Sequence, residues 1–219
     1  GIIQWWCSWV LIRTSFLKTH FVCWRDPRII SRGLFNTLGP GVSKGLAFFG
    51  LGTWNAHGLF CTSDYKKMQR KIKLLKKNLR GNSVFCVQET HGCMALLLKY
   101  FRDTLINYWV FASFASKNAG GVIIFVAKDN APQENQIIPE IIIPGRALRL
   151  TICNPLGQDA GCQIIYNIHN FGVARDEVVS LANFIKSDFE YCKNNPLLHS
   201  IFCAGDFNFS NRSQFSYSD

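Results

Sequence analysis

Long hydrophobic runs are missing from this 219-residue sequence. The longest apolar stretches, Gly1 to Ile12 (broken by Gln4 and Ser8) and Val122 to Ala127, fall short of the roughly 20 residues needed to cross a bilayer. A membrane span, and with it a membrane partner, is not expected. Charge is scarce as well: 17% of residues are charged against 48% hydrophobic and 14% aromatic, which excludes a disordered chain and supplies one core of ordinary size. The nine cysteines include no C-x-x-C pair, so a structural zinc site is not expected. Several lie in apolar runs such as Val84-Phe85-Cys86-Val87, where a thiol packs as a small hydrophobe; an intracellular, reducing compartment suits them best. The first residue is Gly1 and not Met, so the true start of the protein, with any targeting signal, is expected to be missing. No internal repeat or low-complexity tract is present.

What is there divides into two parts. Residues 1–47 hold four of the six Trp, carry a net charge of +5 and show no sustained period of 2 or 3.6. They read as an irregular basic extension outside the fold, separated by Leu38-Gly39-Pro40-Gly41 from a patterned region over 48–219. In that region short Val-, Ile- and Phe-rich runs at about 46–54, 83–88, 121–127, 137–143, 147–153, 163–168 and 200–205 predict strands. Tyr65, Met68, Ile72, Leu75 and Leu79 recur at helical spacing, with Ser63 or Asp64 placed to cap and Gly81 just beyond. Val178, Leu181, Ile185 and Phe189 predict a second helix led by Asp176-Glu177, and Met94 to Leu105 a weaker one. The expected class is α+β in layers.

Eight of the 18 basic residues in this region fall within Lys66 to Arg80, and without them it is acidic overall. That run is either a phosphate-binding stripe or the solvated side of a helix that covers the back of a sheet.

Four stretches place polar groups directly after an apolar strand: Thr53-Trp54-Asn55-Ala56-His57-Gly58, Val87-Gln88-Glu89-Thr90-His91, Ile165-Tyr166-Asn167-Ile168-His169-Asn170 and Cys203-Ala204-Gly205-Asp206-Phe207-Asn208. Strand ends that converge at one edge of a sheet make a site. Glu89 offers the hard oxygen that Mg²⁺ requires, and Asp206 beside Asn208 pairs a proton acceptor with an orienting amide. Asn55 and Asn167 read equally as turn or cap amides, and Glu89 or Asp206 alone as turn residues. His57, His91 and His169 lack metal-ligand spacing and read as partly exposed loop histidines.

Taken in order, the four stretches resemble the endonuclease/exonuclease/phosphatase superfamily, and within it the apurinic/apyrimidinic-endonuclease-like domain of non-LTR retrotransposons. The resemblance runs from about Leu46 to Asn208 and is carried by Thr53 to Leu59, Gln88-Glu89-Thr90, Gly120-Gly121-Val122 and Gly205-Asp206-Phe207-Asn208. It implies a four-layered α/β/β/α sandwich and Mg²⁺-dependent hydrolysis of DNA phosphodiesters, with Mn²⁺ as an alternative ion. It also implies a nuclear rather than cytoplasmic setting and a reverse transcriptase domain of the same polyprotein as partner. On this resemblance Glu89, helped by Asn55, holds the metal. Asp206 positions or deprotonates water, and Asn208 orients Asp206 or touches phosphate. His169 stands where the family has a Tyr near the scissile phosphate, Asn170 adds a phosphate contact, and Asn55 also borders the nucleic acid. The late strands and a final Ser-Asp-His have no counterpart before Asp219, so the domain is expected to be incomplete and the chain weak or inactive as an enzyme. Two other readings stay open: a phosphoesterase of the same superfamily acting on a small phosphorylated molecule or lipid, and a degenerate fragment that binds nucleic acid without catalysis.

Overall fold

The computed structural model of the chain describes residues 8–14, 17–24, 50–116, 119–131, 133–153, 162–169, 175–194 and 198–206. Among the described residues ten strands form two sheets: β1 (Ser8–Thr14), β2 (Leu17–Trp24), β3 (Leu51–Asn55), β4 (Val84–Gln88), β5 (Tyr108–Ser113), β6 (Val122–Ala127), β7 (Ile137–Ile143), β8 (Ala147–Cys153), β9 (Cys162–His169) and β10 (Leu198–Asp206). The helices are α1 (Tyr65–Leu79), α2 (Met94–Phe101) and α3 (Arg175–Asn194). One sheet runs β2-β1-β10-β9-β8-β7 and the other β3-β4-β6-β5. Within them only β9–β10 and β3–β4 are parallel; every other pairing is antiparallel.

Period-2 alternation sorts the side chains into layers. Val84, Cys86, Ile124 and Val126 of the four-stranded sheet meet Leu148, Leu150, Ile165, Phe202 and Ala204 of the six-stranded one, and form the central core. The alternate residues Phe85, Val87, Ile123 and Phe125 point outward and are covered by Met68, Ile72, Leu75 and Leu79 of α1 and by Leu97 and Phe101 of α2. On the far side Leu181 of α3 closes over Ile164, Tyr166, Ile168, Ile201 and Cys203. The result is an α+β sandwich of helix, sheet, sheet and helix.

Helix α1 starts where Asp64 accepts from the Lys67 N–H at 2.9 Å, and it ends before Gly81, at φ +85°. Lys66, Lys67, Arg70, Lys73, Lys77 and Arg80 are exposed while the apolar side is buried, so the helix covers the back of the sheet. Its charges solvate the outer side.

The structure departs from the sequence reading in two places. Residues 8–24, for which no element was expected, contain β1 and β2, and β1 pairs antiparallel with β10 from Trp9↔Gly205 to Thr14↔Ser200. Val10-Leu11-Ile12 and Phe21-Val22-Cys23 are short apolar runs that β10, once present, can template. β5, Tyr108–Ser113, was not expected either; five of its six residues are partly buried.

Gly205 is required where β10 meets β9. A Cβ there, at φ +154°, would lie 1.9 Å from the Ile168 carbonyl oxygen. Gly205→Ala is therefore expected to force the strands apart and lower the unfolding free energy by about 1–3 kcal/mol in urea titration; an unchanged midpoint would contradict this packing.

Candidate metal centre

Four strands end at one rim of the sandwich, and on each the inward row turns from apolar to polar in its last positions. The rows read Leu51-Thr53-Asn55, Val84-Cys86-Gln88, Ile165-Asn167-His169 and Phe202-Ala204-Asp206. Because β3 and β4 are parallel with Asn55 opposite Gln88, and β9 and β10 are parallel with His169 opposite Asp206, both sheets deliver their polar ends together.

Beneath the rim a buried amide bridge joins the sheets. Asn167 donates to the carbonyls of Val87 (3.0 Å) and Ile123 (2.9 Å), and its Oδ1 accepts from Gln88 Nε2 at 2.6 Å. Gln88 Nε2 also donates to Thr53 Oγ1 at 3.0 Å. A buried amide with its groups satisfied specifies one docking of the two sheets. Asn167 is thus neither a turn nor a cap residue, and this role could not be read from its place in the sequence.

At the rim Glu89, His169 and Asp206 each present a ligand atom, and these atoms lie within 4.8 Å of one another. Asn55 Nδ2 donates to Asp206 Oδ2 at 2.5 Å, while Asn55 Oδ1 accepts from the His57 N–H at 3.1 Å. Both ends of the Asn55 amide are thereby engaged within the chain, one of them on Asp206. Asn208 and Asn170 lie outside the described residues.

His57 Nδ1 donates to Glu89 Oε2 at 2.7 Å, and His169 Nε2 lies 3.7 Å from Glu89 Oε1. The His57 hydrogen bond holds the Glu89 carboxyl below the usual carboxylate range, against the effect of burial, and the charges of His57, His169 and His91 add to it. Burial pushes the His169 imidazole down, and Glu89 and Asp206 pull it partly back. The expectation of a partly exposed loop histidine is corrected here: His169 ends β9 and is 7% exposed, because the strand's inward row continues through it.

The Glu89 backbone is itself unusual. His57, Glu89 and His91 have φ of +45°, +52° and +48°, a region non-glycine residues enter at a cost of about 1–3 kcal/mol each. Surrounding bonds hold the turns: Gly58 N–H donates to the Glu89 carbonyl at 2.7 Å, Thr90 N–H to Gly121 and His91 N–H to Gly120. Gly121 has to be glycine, since a Cβ would lie 2.2 Å from Thr90 Oγ1. Lys71, from α1, donates to the carbonyls of Ala56 (2.7 Å), His57 (2.5 Å) and Gly58 (3.2 Å), pinning the loop that carries His57. Sequence reasoning left Lys71 in the basic run and His57 in a loop; only the folded backbone shows what they touch.

The donor set fits a divalent cation. It has two carboxylates and an imidazole, and the buried His169 Nδ1 has no hydrogen-bond partner among the described residues. No described helix is long and apolar enough to cross a membrane.

The profile of the Endonuclease/Exonuclease/phosphatase family matches residues 52–218, about three quarters of the chain. The chain belongs to this family. Among solved structures, humanized D. rerio TDP2 is similar at 18% identity and a TM-score of 0.48, covering 73% of this chain and 62% of that one. The mannosyl-6-phosphatase of Bacteroides thetaiotaomicron is similar at 14% identity (TM-score 0.48, 75% of this chain and 67% of that one). The human Nocturnin catalytic domain with bound sulfate anion is similar at 13% identity (TM-score 0.46, 72% and 62%). This family member thus spans about three fifths of the length of the TDP2 structure it resembles. No curated protein matches the sequence.

Proposed function

We propose that the chain carries a metal-dependent phosphodiesterase site that acts on DNA, of the kind found in retroelement endonucleases. The observation that carries this is the meeting of Glu89, His169 and Asp206 within 4.8 Å at the convergent strand ends, inside a family whose members hydrolyse phosphoesters. Glu89, His169 and Asp206 are the residues that would hold the ion, Mg²⁺ or Mn²⁺. A divalent cation bound there neutralises charge on the phosphate and on the leaving oxygen, where a phosphoryl-transfer transition state needs it.

The chain's own groups do the rest. His57 keeps Glu89 ionised and fixes its rotamer. Asn55 holds one oxygen of Asp206, so that the carboxylate faces the rim and takes a proton from an attacking water. The rim is flanked by the Lys71-pinned loop on one side and by Gly145 and Arg146 on the other: His169 N–H donates to the Arg146 carbonyl at 2.7 Å, and Gly121 N–H to Gly145 at 2.8 Å. DNA is favoured over a small phosphoester by the order of the Trp54-Asn55, Gln88-Glu89-Thr90, Gly120-Gly121 and Gly205-Asp206-Phe207-Asn208 stretches. In that setting a reverse transcriptase of the same polyprotein is the partner that uses the nick.

Supercoiled DNA incubated with the full chain and Mg²⁺ or Mn²⁺ is expected to yield nicked circles at a low rate, and a chelator to abolish the reaction. Nicking that persists in the chelator would refute the reading. Phosphate released from a soluble phosphoester, with DNA left intact, would move the substrate to small molecules. Steeply salt-dependent DNA binding with no turnover of either substrate would make the chain a binding fragment.

A further inference from the structure

We propose that Cys153 and Cys162 form a redox modification site, a cross-strand dithiol that a low-molecular-weight disulfide converts to an intramolecular disulfide bond between β8 and β9. The inference does not rest on the reading of the rim. Cys162 begins β9 and His169 ends it, so the two sites lie at opposite ends of one strand.

The register makes the two cysteines direct partners. Cys153, the last residue of β8, lies opposite Cys162, the first of β9, and the ladder runs without a shift from there to Ala147↔Ile168. At its rim end the His169 N–H donates to the Arg146 carbonyl, which makes that couple a hydrogen-bonded one. Hydrogen-bonded and non-hydrogen-bonded couples alternate along an antiparallel ladder, and Cys153 is an odd number of positions from Arg146. The cysteines therefore form a non-hydrogen-bonded couple, the kind in which Cα atoms approach to about 4.5 Å and side chains stand closest. That separation falls within the roughly 4.4–6.8 Å that a disulfide spans. The Cys162 thiol donates to Cys153 Sγ at 3.4 Å, so the bond asks only for closure of the two sulfurs to about 2.05 Å.

Access separates this pair from the other thiols. Cys153 and Cys162 are partly exposed, whereas Cys86 and Cys203 are buried and burial pushes their thiols up, that of Cys203 to about 12. Cys61 is exposed, and its sulfur contacts the Ser63 hydroxyl at 3.0 Å rather than a second thiol. At the pair, either thiolate attacks the small disulfide and expels one thiolate; the second cysteine then attacks the protein sulfur of the mixed disulfide and expels the other. Two cysteine thiols are oxidised, the small disulfide is reduced to two thiols, and the two cysteine protons end on those. The second step is intramolecular between sulfurs already in contact, so a mixed disulfide at either position is short-lived while one at Cys61 persists. The bond closes the connection over 154–161 and fixes the ends of β8 and β9 away from the rim.

The test is oxidation of the folded, reduced full chain with oxidised glutathione, followed by an acid quench, alkylation of the remaining thiols and peptide mapping without reductant. A peptide pair joined through Cys153 and Cys162 is expected, with glutathione retained on Cys61 and none on the pair. Cys153→Ser is expected to trap glutathione on Cys162, raising that adduct at least about tenfold over the unsubstituted chain. The bridged chain is expected to unfold at a higher urea midpoint than the reduced one, and dithiothreitol to restore the lower value. Mapping of the unsubstituted chain decides the matter even where the variant fails to fold. Stable glutathione adducts on both Cys153 and Cys162, or two thiols that stay fully open to alkylation while Cys61 is oxidised, would overturn the proposal. So would a Cys153–Cys162 bond that forms only when oxidation is carried out in denaturant, because the native register would then not be what joins them.

Discussion

Asp206→Asn is expected to slow DNA nicking by about 10²–10³-fold without lowering stability. Asparagine keeps the shape of the side chain and an acceptor for the Asn55 amide, so the geometry at 2.5 Å has no reason to change. What is lost is the charge beside the ion and the group that takes the proton. Stability is expected to hold or rise, because Asp206 is 3% exposed and shares its site with a second carboxylate, an arrangement that is repulsive until a cation bridges it. Glu89→Gln is expected to bring a loss of similar size through weakened ion binding alone, so raised metal concentration should recover most of its activity but only a minor part of that of Asp206→Asn, which also loses the proton acceptor. Measured kcat against metal concentration separates the two. Full activity in both variants would refute the assignment of the rim as the reacting site.

The largest expected effect on stability lies far from the rim. Arg149 of β8 makes a two-point contact with Asp188 of α3, Nε to Oδ2 at 2.7 Å and Nη2 to Oδ1 at 2.9 Å, and a longer one with Glu140 at 3.2 Å. The hydroxyl of Tyr166 donates to the same Asp188 carboxylate. Tyr166 is fully buried; burial, then the Asp188 bond and charge, push its hydroxyl far above the usual range. Asp188→Ala removes the common acceptor and leaves a guanidinium that is 16% exposed with only the longer Glu140 contact, beside a buried phenol. Breaking a fully buried pair from one side costs about 3–5 kcal/mol; for this part-buried one, with Glu140 still in reach, about 2–3 kcal/mol is expected, a sizeable part of the 5–15 kcal/mol that holds a domain together. Urea unfolding measures it, and a loss under about 1 kcal/mol would show that solvent already satisfies Arg149.

Where a local pattern decides the structure, the sequence was readable. Met68, Ile72, Leu75 and Leu79 mark the buried side of α1, and the runs at 137–143 and 147–153 coincide with β7 and β8. Glu89 and Asp206 could be singled out in the sequence because the first follows, and the second ends, an apolar run that the fold turns into a strand. Pairing at long range was not legible. Asp188 and Arg149 are 39 residues apart, Gln88 and Asn167 are 79, and no spacing rule joins them. The left-handed turns at His57 and Glu89 escaped for a related reason: their propensities disfavour that backbone, and only bonds from Lys71, Gly120 and Gly121 impose the surrounding loops.

The divided origin of the rim has a thermodynamic corollary. Glu89 follows a strand of the four-stranded sheet while His169 and Asp206 end strands of the six-stranded one, so an ion held by these three would strap the two halves of the sandwich together. By mass action a ligand that binds only the docked form adds about 2.7 kcal/mol at a hundredfold excess over its dissociation constant. Affinity for the ion and cohesion of the sandwich then become one quantity seen from two directions. The supply of that ion would govern how long the protein withstands proteases, quite apart from how fast it turns over.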